Sequence, residues 1–330
     1  MLVKVQSCSL SPGDLRLLSG EKSDILKTLG VTVDLPYIPG GDISGIVEEV
    51  EENKEGFKVG DYVIATWDSS KVGLGGLAEY TTVPTKLAAL KPAGISWLEG
   101  AALANSNMLA MQAVEAAGVK QGDRVLVIGG SGGMGCSIVQ MAKHAGAEFL
   151  AATSTDETLL KGLGVDLVVD YTKQPWWENE ELAKAPFDVI IDCAEGTAAW
   201  RRAKGSRALL KSGWQGGRFL AVVLHEWDIN IKSMAGMMAW FMPIVARQFG
   251  SRVMSFRAPR YKMFMLDSNR ESLEASLKMV ESGQVKTVMD PACPYPFTTD
   301  GVRAAFTKLE ERKGHGKLVI QVGGEEAKEG

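Results

Sequence analysis

The chain has 330 residues, 45% of them hydrophobic and 23% charged, with a formal net charge of −4. That length can bury a large core and suggests about two domains, in a composition ordinary for a folded globular protein. The negative balance argues against nucleic acid as the main partner, because phosphate backbones select basic surfaces.

Met1 to Gln6 reads as a strand already under way, with no signal-peptide pattern. Ile43 to Val50 and Asp61 to Thr66 are strand-like, punctuated by Ile38-Pro-Gly-Gly41, Gly73 to Gly76 and Lys91-Pro-Ala-Gly94. The first hundred residues are therefore β-rich. At Ser96 the pattern changes: Ser96 with Glu99 forms a capping-box signature, and Ala101 to Ala117 is rich in helix formers.

After the turn Gly118 to Asp123 comes the most informative stretch, Arg124-Val-Leu-Val-Ile-Gly-Gly-Ser-Gly-Gly-Met-Gly135. Val125 to Ile128 is short, uncharged and apolar, a strand buried on both faces. Met134, Ile138, Val139, Met141 and Ala142 then mark one stripe of a helix. Gly130, Gly132 and Gly135 between them satisfy G-x-G-x-x-G. That spacing serves a tight turn, close approach of backbone to a pyrophosphate, and close helix–strand packing. The alternative is a plain βα turn.

Four further apolar runs follow, Glu148 to Ala152, Val165 to Asp170, Phe187 to Cys193 and Arg218 to Leu224, separated by helix-length segments such as Thr197 to Leu210. Such alternation predicts an α/β fold with a doubly wound parallel sheet and ligands at the carboxyl ends of its strands. Met234 to Ala246 is apolar, too short to span a bilayer, and interrupted by Pro243. It reads as a buried or subunit-interface helix, or alternatively as a membrane-surface or apolar-substrate contact. Helices are predicted over Ser272 to Ser282 and Thr299 to Arg312, and a closing strand over Lys317 to Val322, expected to rejoin the β-rich domain. The tail from Gly323 to Gly330 is expected to be disordered.

Cys8, Cys136, Cys193 and Cys293 share no C-x-x-C spacing, which fits reduced thiols in a reducing compartment. The three histidines, His144, His225 and His315, read as structural or solvated. Trp176, Trp177, Trp200, Trp214, Trp227 and Trp240 cluster in the second half and read mostly as packing.

In order along the chain, Ser11-Pro-Gly-Asp14, Ile38 to Gly45, Phe57-Lys-Val-Gly-Asp61, Gly76-Leu-Ala-Glu-Tyr80, Gly130 to Gly135, Val169-Asp-Tyr171 and Gly316-Lys-Leu-Val-Ile320 resemble the medium-chain dehydrogenase/reductase superfamily. Within it the chain resembles the zinc-free quinone oxidoreductase and enone reductase group. Arg260 to Leu266 is similar to the reticulon-interacting and plastid-envelope branches. The resemblance implies a Rossmann domain, 99–267, inserted in a GroES-like β domain, 1–98 with 268–330. Relatives carry further strands before the position of Met1, so the chain is expected to begin inside the fold. The compartment implied is cytoplasmic or organellar (mitochondrion or plastid).

By the same resemblance the zinc-ligand positions fall on Ser11, Gly41 and Asp42. One carboxylate without thiolate or imidazole cannot hold catalytic zinc, so no metal is expected. Ser154 and Tyr171 match positions that contact a ribose 2′-phosphate, and Lys173 could add charge, which favours NADPH over NADH. Asp156 argues the other way unless it caps a helix. Ser131, Gly132, Gly133 and Met134 are expected at the pyrophosphate. Val222 and Phe264 are expected near the nicotinamide, with core packing as the alternative, and Gly316 and Lys317 as a C-terminal contact.

The implied activity is zinc-independent hydride transfer from NADPH to quinones or α,β-unsaturated carbonyls. The alternative is an NADPH-binding structural or regulatory protein whose site has decayed. Positions that hold asparagine or tyrosine in relatives are Ser11, Arg16 and Lys22 here, and the start of the Ala101 helix carries a polar trio, Asn105-Ser-Asn107. Ser11, Asn105 and Asn107 are the candidate pocket residues, and no catalytic residue is assigned. Homodimerisation through an edge strand at Tyr261 to Leu266 is also implied.

Overall fold

The computed structural model describes residues 1–18, 38–51, 56–66, 75–223 and 234–324. Lys22, Gly73, Leu224, His225, Trp227 and the tail from 325 to 330 lie outside the described residues. In chain order the first strands and helices are β1 (Leu2–Leu10), α1 (Pro12–Leu18), β2 (Asp42–Glu49), β3 (Tyr62–Thr66), β4 (Tyr80–Thr82), β5 (Ala88–Leu90) and α2 (Trp97–Ala117). Then come β6 (Arg124–Ile128), α3 (Gly135–His144), β7 (Phe149–Thr153), α4 (Glu157–Gly162), β8 (Leu167–Val169), α5 (Glu180–Ala183), β9 (Val189–Asp192), α6 (Thr197–Gly205) and β10 (Arg218–Ala221). The last are α7 (Met234–Val253), β11 (Arg260–Met263), α8 (Arg270–Glu281), β12 (Tyr295–Pro296), α9 (Thr299–Glu310) and β13 (Leu318–Gln321).

The chain divides into two units, Met1–Met108 with Asp267–Gly330, and Leu109–Leu266. The break expected at 98/99 coincides with the start of α2, whereas the observed one falls inside that helix. The reason is packing: Ala101 and Ala102 share a buried cluster with Val319 of β13, so the first half of α2 belongs to the first unit. Its start is a reciprocal capping box. Ser96 Oγ accepts from Glu99 N at 3.2 Å, and the Glu99 carboxylate accepts from Ser96 N at 3.0 Å.

The first unit holds a sheet of order β12-β13-β1-β2-β3-β5, with β4 also paired to β1. β13 runs antiparallel to β1, with Cys8 opposite Ile320, so the closing strand does return to the N-terminal sheet. Val3, Val5, Ile43, Val47 and Val63 form its buried core, each removed from water for about 1.5–3 kcal/mol.

The second unit is a parallel sheet of order β11-β10-β9-β6-β7-β8. Strand order reverses at β6: the chain proceeds outward through β7 and β8, then returns to its other side with β9. That is a topological switch point, where α/β sheets bind ligands outside the carboxyl strand ends. Val125, Leu126 and Val127 of β6 are wholly buried, as expected for a strand covered on both faces. Trp176 and Trp200 are core residues; Trp200 packs edge-on against Phe219 and Tyr261. Trp214, by contrast, is 82% exposed.

Helix α6 ends at Gly205, short of Leu210, because Ser206 turns extended and Leu209 and Leu210 donate back to its carbonyl. Helix α7 runs through Pro243 to Val253 and lies against β11. Arg260 N and Phe264 N donate inward to the backbone around β10, so the odd-numbered amides of β11 point to the free edge. They are not open: Tyr261 N donates to Ser251 Oγ (2.9 Å) and Met263 N to Gln248 Oε1 (3.3 Å), both on α7. A helix thus covers the sheet edge, one of the ways proteins block edge-to-edge pairing.

Candidate functional site

In the second unit the loop from Gly129 to Gly135 leads β6 into α3. The left-handed turn falls on Gly129 (φ 83°), one residue before the motif glycine to which sequence spacing gives the tight turn. Gly130 instead permits close packing: a Cβ there would sit 2.8 Å from Ala152 Cβ of β7. A Cβ on Gly135 would lie 2.1 Å from the Gly129 carbonyl oxygen. Gly132 differs from both. A Cβ there meets only Gly129 O, at 3.7 Å, so that side of the loop is open to a ligand. Met134, at the start of α3, supplies no side-chain cap, leaving an anion free to take that role at the positive end of the helix. Ser131 is 8% exposed, and its carbonyl accepts the Cys136 thiol, whereas Gly133 and Met134 are half-buried. The fit to a dinucleotide pyrophosphate is good.

Neighbouring strand ends hold the loop. Gly129 N donates to Thr153 Oγ1 (2.8 Å) and Gly130 N to Thr153 O (3.0 Å) at the end of β7. Ser154 is buried, and its hydroxyl accepts from Asp156 N at 2.8 Å. Asp156 caps α4 by accepting from Leu159 N at 2.9 Å, so its carboxylate is occupied at the helix start. The exposed hydroxyl at this strand end is Thr155, which the sequence reading passed over. Beyond β8, Tyr171 is 52% exposed, and Lys173 pairs with Asp170 at 3.0 Å on the surface.

On the other side of β6, Asp192 ends β9 wholly buried and accepts from Ala194 N, Glu195 N and Gly196 N (3.0, 2.8 and 2.6 Å). Burial pushes its carboxyl up to about 7, against the lowering effect of those three donors. The loop it organises abuts the glycine turn, since a Cβ on Gly129 would be 2.9 Å from Ala194 Cβ. Asp192 is a positioning residue missed in the sequence, where a lone Asp after Val-Ile-Ile reads only as a strand end. Val222 N donates to Asp192 O at 2.9 Å; Phe264, 8% exposed, donates its N–H to Ala221 O at 2.8 Å.

The first unit contains a different construction, a buried polar chain. Asn105 Nδ2 donates to Thr66 Oγ1 (3.2 Å), and Thr66 Oγ1 donates to Asp42 Oδ1 (2.9 Å). Asp42 Oδ2 accepts from Lys317 Nζ (3.0 Å) and Ser9 Oγ (3.3 Å). The pair is only 4% and 10% exposed at Asp42 and Lys317. Lys317 also uses its main chain, donating to Val288 O and accepting from Asp290 N. Gly316 before it has φ 86°, and a Cβ would collide with the backbone at Val288 and Met289. Near α1, Ser11 N and Oγ both donate to Asp14 Oδ2 (2.8 and 2.9 Å), while Gly40 N donates to Asp14 Oδ1 (2.8 Å).

Of the three candidate pocket residues, Asn105 therefore joins the Asp42 chain and Ser11 joins Asp14. Asn107 is 2% exposed and lies about 200° round α2 from Asn105, because residues two apart do not share a helix face.

Residues 1–93 match the alcohol dehydrogenase GroES-like domain, and 163–320 match a family described as zinc-binding dehydrogenase. The chain is 34% identical over 327 residues to 2-methylene-furan-3-one reductase of Solanum lycopersicum, covering 97% of this chain and 71% of that protein. The chain belongs to the medium-chain dehydrogenase/reductase superfamily. It is also 31% identical to the chloroplastic NADPH-dependent alkenal/one oxidoreductase of Arabidopsis thaliana (97% and 71% covered). Identity is 30% to the mitochondrial NAD(P)H oxidoreductase RTN4IP1 of Danio rerio (98% and 83%). Among solved structures, the quinone oxidoreductase from Coxiella burnetii shares the fold, with TM-score 0.76, 24% identity and 98% and 90% coverage.

Membership makes this medium-chain chain an oxidoreductase that uses a nicotinamide cofactor, in keeping with the open Gly132 loop. Catalytic zinc is another matter. At the three matching positions, Ser11 is bonded to Asp14, Gly41 has no side chain, and Asp42 is held by Lys317, Ser9 and Thr66. These residues do not fit the metal, which needs thiolate or imidazole donors and an open position. Among the described residues no three His, Cys, Asp or Glu side chains gather in a metal-binding group.

Proposed function

We propose that this medium-chain oxidoreductase is an NADPH-dependent, zinc-independent reductase of α,β-unsaturated carbonyls, with quinones as its second substrate class. The observation that carries the reading is the Gly129–Gly135 loop, open at Gly132 and uncapped at Met134, in a chain similar to two named enone-type reductases. When bound, the reduced nicotinamide supplies a hydride to the electron-poor carbon or quinone oxygen. The chain's part is positioning: Gly132 admits the pyrophosphate, Ser131, Gly133 and Met134 border it, and Asp192 and Thr153 hold the loop in shape.

Preference for the 2′-phosphate falls to Tyr171 and Lys173, with Ser154 shaping the strand end from a buried position and Thr155 offering the exposed hydroxyl. Val222 and Phe264 end neighbouring strands, as main-chain contacts to a nicotinamide would require. Lys317 is engaged with Asp42, so its proposed role, with Gly316, is to set the backbone of its own unit. Ser11, Asn105 and Asn107 stand as substrate-side residues, with Asn107 the least accessible. All four cysteines are free thiols, which fits a reducing compartment, mitochondrial or plastid as for the relatives above. A homodimer has to form without the outward amides of β11, which α7 already occupies.

The test is oxidation of NADPH and, separately, NADH at equal low concentration with a simple enone and with phenanthrenequinone. NADPH turnover on either substrate supports the reading. Comparable rates with NADH sink the cofactor preference, and tight NADPH binding with no turnover favours a binding protein whose site has decayed.

A further inference from the structure

Helix α7 has one face against the sheet and a broad apolar arc outside it. Ile244, Gln248 and Ser251 turn inward to β11 and the core. Beyond Gln248, from about 60° to 180° round the helix from Ile244, Phe241, Val245, Met238, Phe249, Met242 and Val253 are all exposed, Phe249 to 70%. An apolar arc of this width on a surface helix is ordinarily covered, and exposed patches of this kind mark interaction sites. The turn after the helix continues the pattern, with exposed Phe256 beneath the Arg257 guanidinium, 5.3 Å from its ring centre.

The charge around this face says what covers it. Between Met234 and Leu266 the sequence holds Arg247, Arg252, Arg257, Arg260 and Lys262 and no carboxylate, in a chain whose net charge is −4. Arg252 and Arg257 are exposed beside the apolar arc. A two-fold contact through this face would bring Arg252 and Arg257 of both copies into one apolar interface, with no carboxylate between Met234 and Leu266 to pair them. A surface of anionic headgroups over hydrocarbon complements both properties at once. The helix would lie in that surface and not cross it, since no described helix is long and apolar enough to span a membrane.

We propose that the outer face of α7 and the turn after it dock on the surface of an anionic lipid bilayer, with the apolar arc at the acyl boundary and the arginines among the phosphates. The inference is independent of the reduction chemistry.

The test is co-sedimentation of the full chain with phosphatidylcholine vesicles, with and without phosphatidylglycerol, at low and high salt. Binding should be about tenfold or more tighter on anionic vesicles and should weaken with salt. The Met242→Glu/Phe249→Glu variant should lose it by a similar factor, with unchanged circular dichroism because both residues face solvent. Arg252→Glu/Arg257→Glu should lose the anionic preference without touching the apolar arc. Absence of binding to anionic vesicles, or binding equal to wild type in both variants, overturns the proposal. So does a dimer, seen by light scattering, that Met242→Glu/Phe249→Glu dissociates while vesicles bind neither protein.

Discussion

Gly132→Ala and Gly135→Ala add the same methyl group three residues apart in one loop, and the structure separates their consequences. At Gly135 the new Cβ lies 2.1 Å from Gly129 O and 2.7 Å from Gly130 O, both backbone atoms. Ordinary contact begins at 3.4 Å, about 1.3 Å further out, so α3 must move away from the end of β6 or the turn must open. Overpacking of that kind costs roughly 1–3 kcal/mol, and more where backbone cannot give. At Gly132 the nearest atom is 3.7 Å away, already an ordinary contact, so stability should change by no more than about 0.5 kcal/mol. What Gly132→Ala removes is the close approach of a ligand to the loop. The assay pairs urea unfolding with NADPH titration by fluorescence. Gly135→Ala should lose stability and, with it, binding; Gly132→Ala should unfold as wild type yet bind NADPH about tenfold or more weakly. If Gly132→Ala binds NADPH with unchanged Kd, the pyrophosphate does not lie on this loop, and the cofactor assignment of Ser131 to Met134 fails with it.

Three other outcomes are expected. Asp42→Asn should destabilise the chain by roughly 3–5 kcal/mol in urea by stranding a buried Lys317, and adding Lys317→Met should recover most of that loss; equal costs for the single and double variants would deny the coupling. Asp192 binds its proton more tightly folded (about 7) than unfolded, so the stability it confers is present below about pH 4 and lost as pH rises through about 7. Melting temperature should therefore fall between pH 5 and 8, and Asp192→Asn should flatten that slope; a parallel slope in the variant would place the effect elsewhere. Lys173→Ala, at an exposed surface pair, should weaken NADPH binding while sparing NADH, whereas equal effects on both would remove Lys173 from the 2′-phosphate.

The Rossmann half was legible because its signals are local. Val125 to Ile128, the glycines and the apolar stripe after them lie within one strand–turn–helix, and each residue type answers a constraint set by its neighbours. The displacement in this loop, the left-handed turn at Gly129 instead of Gly130, moves the requirement by a single position. The capping box at Ser96 and Glu99 and the helix cap at Asp156 are local in the same sense. Helix α7 was legible only in part: its apolar run was plain, but Gln248 and Ser251 reach the edge of β11 through a tertiary contact that periodicity does not encode.

The first unit resisted for a stronger form of that reason. Asp42 reads as a remnant of a metal site until its partner is known, and that partner, Lys317, stands 275 residues away. Thr66 and Asn105 acquire meaning only as further links to the same carboxylate. A buried ion pair is costly to desolvate and seldom adds stability over apolar packing, so its presence at the zinc-ligand position calls for a reason other than stability. The pair fixes Ser9, Asp42, Thr66 and Asn105 in one hydrogen-bonded arrangement. The consequence is specific. Asn105→Ala removes the terminal link and leaves the ion pair whole, so it should barely change stability but should lower kcat/KM on enones if that chain shapes the substrate side. Unchanged kcat/KM across enones and quinones would make the chain a structural element and nothing more.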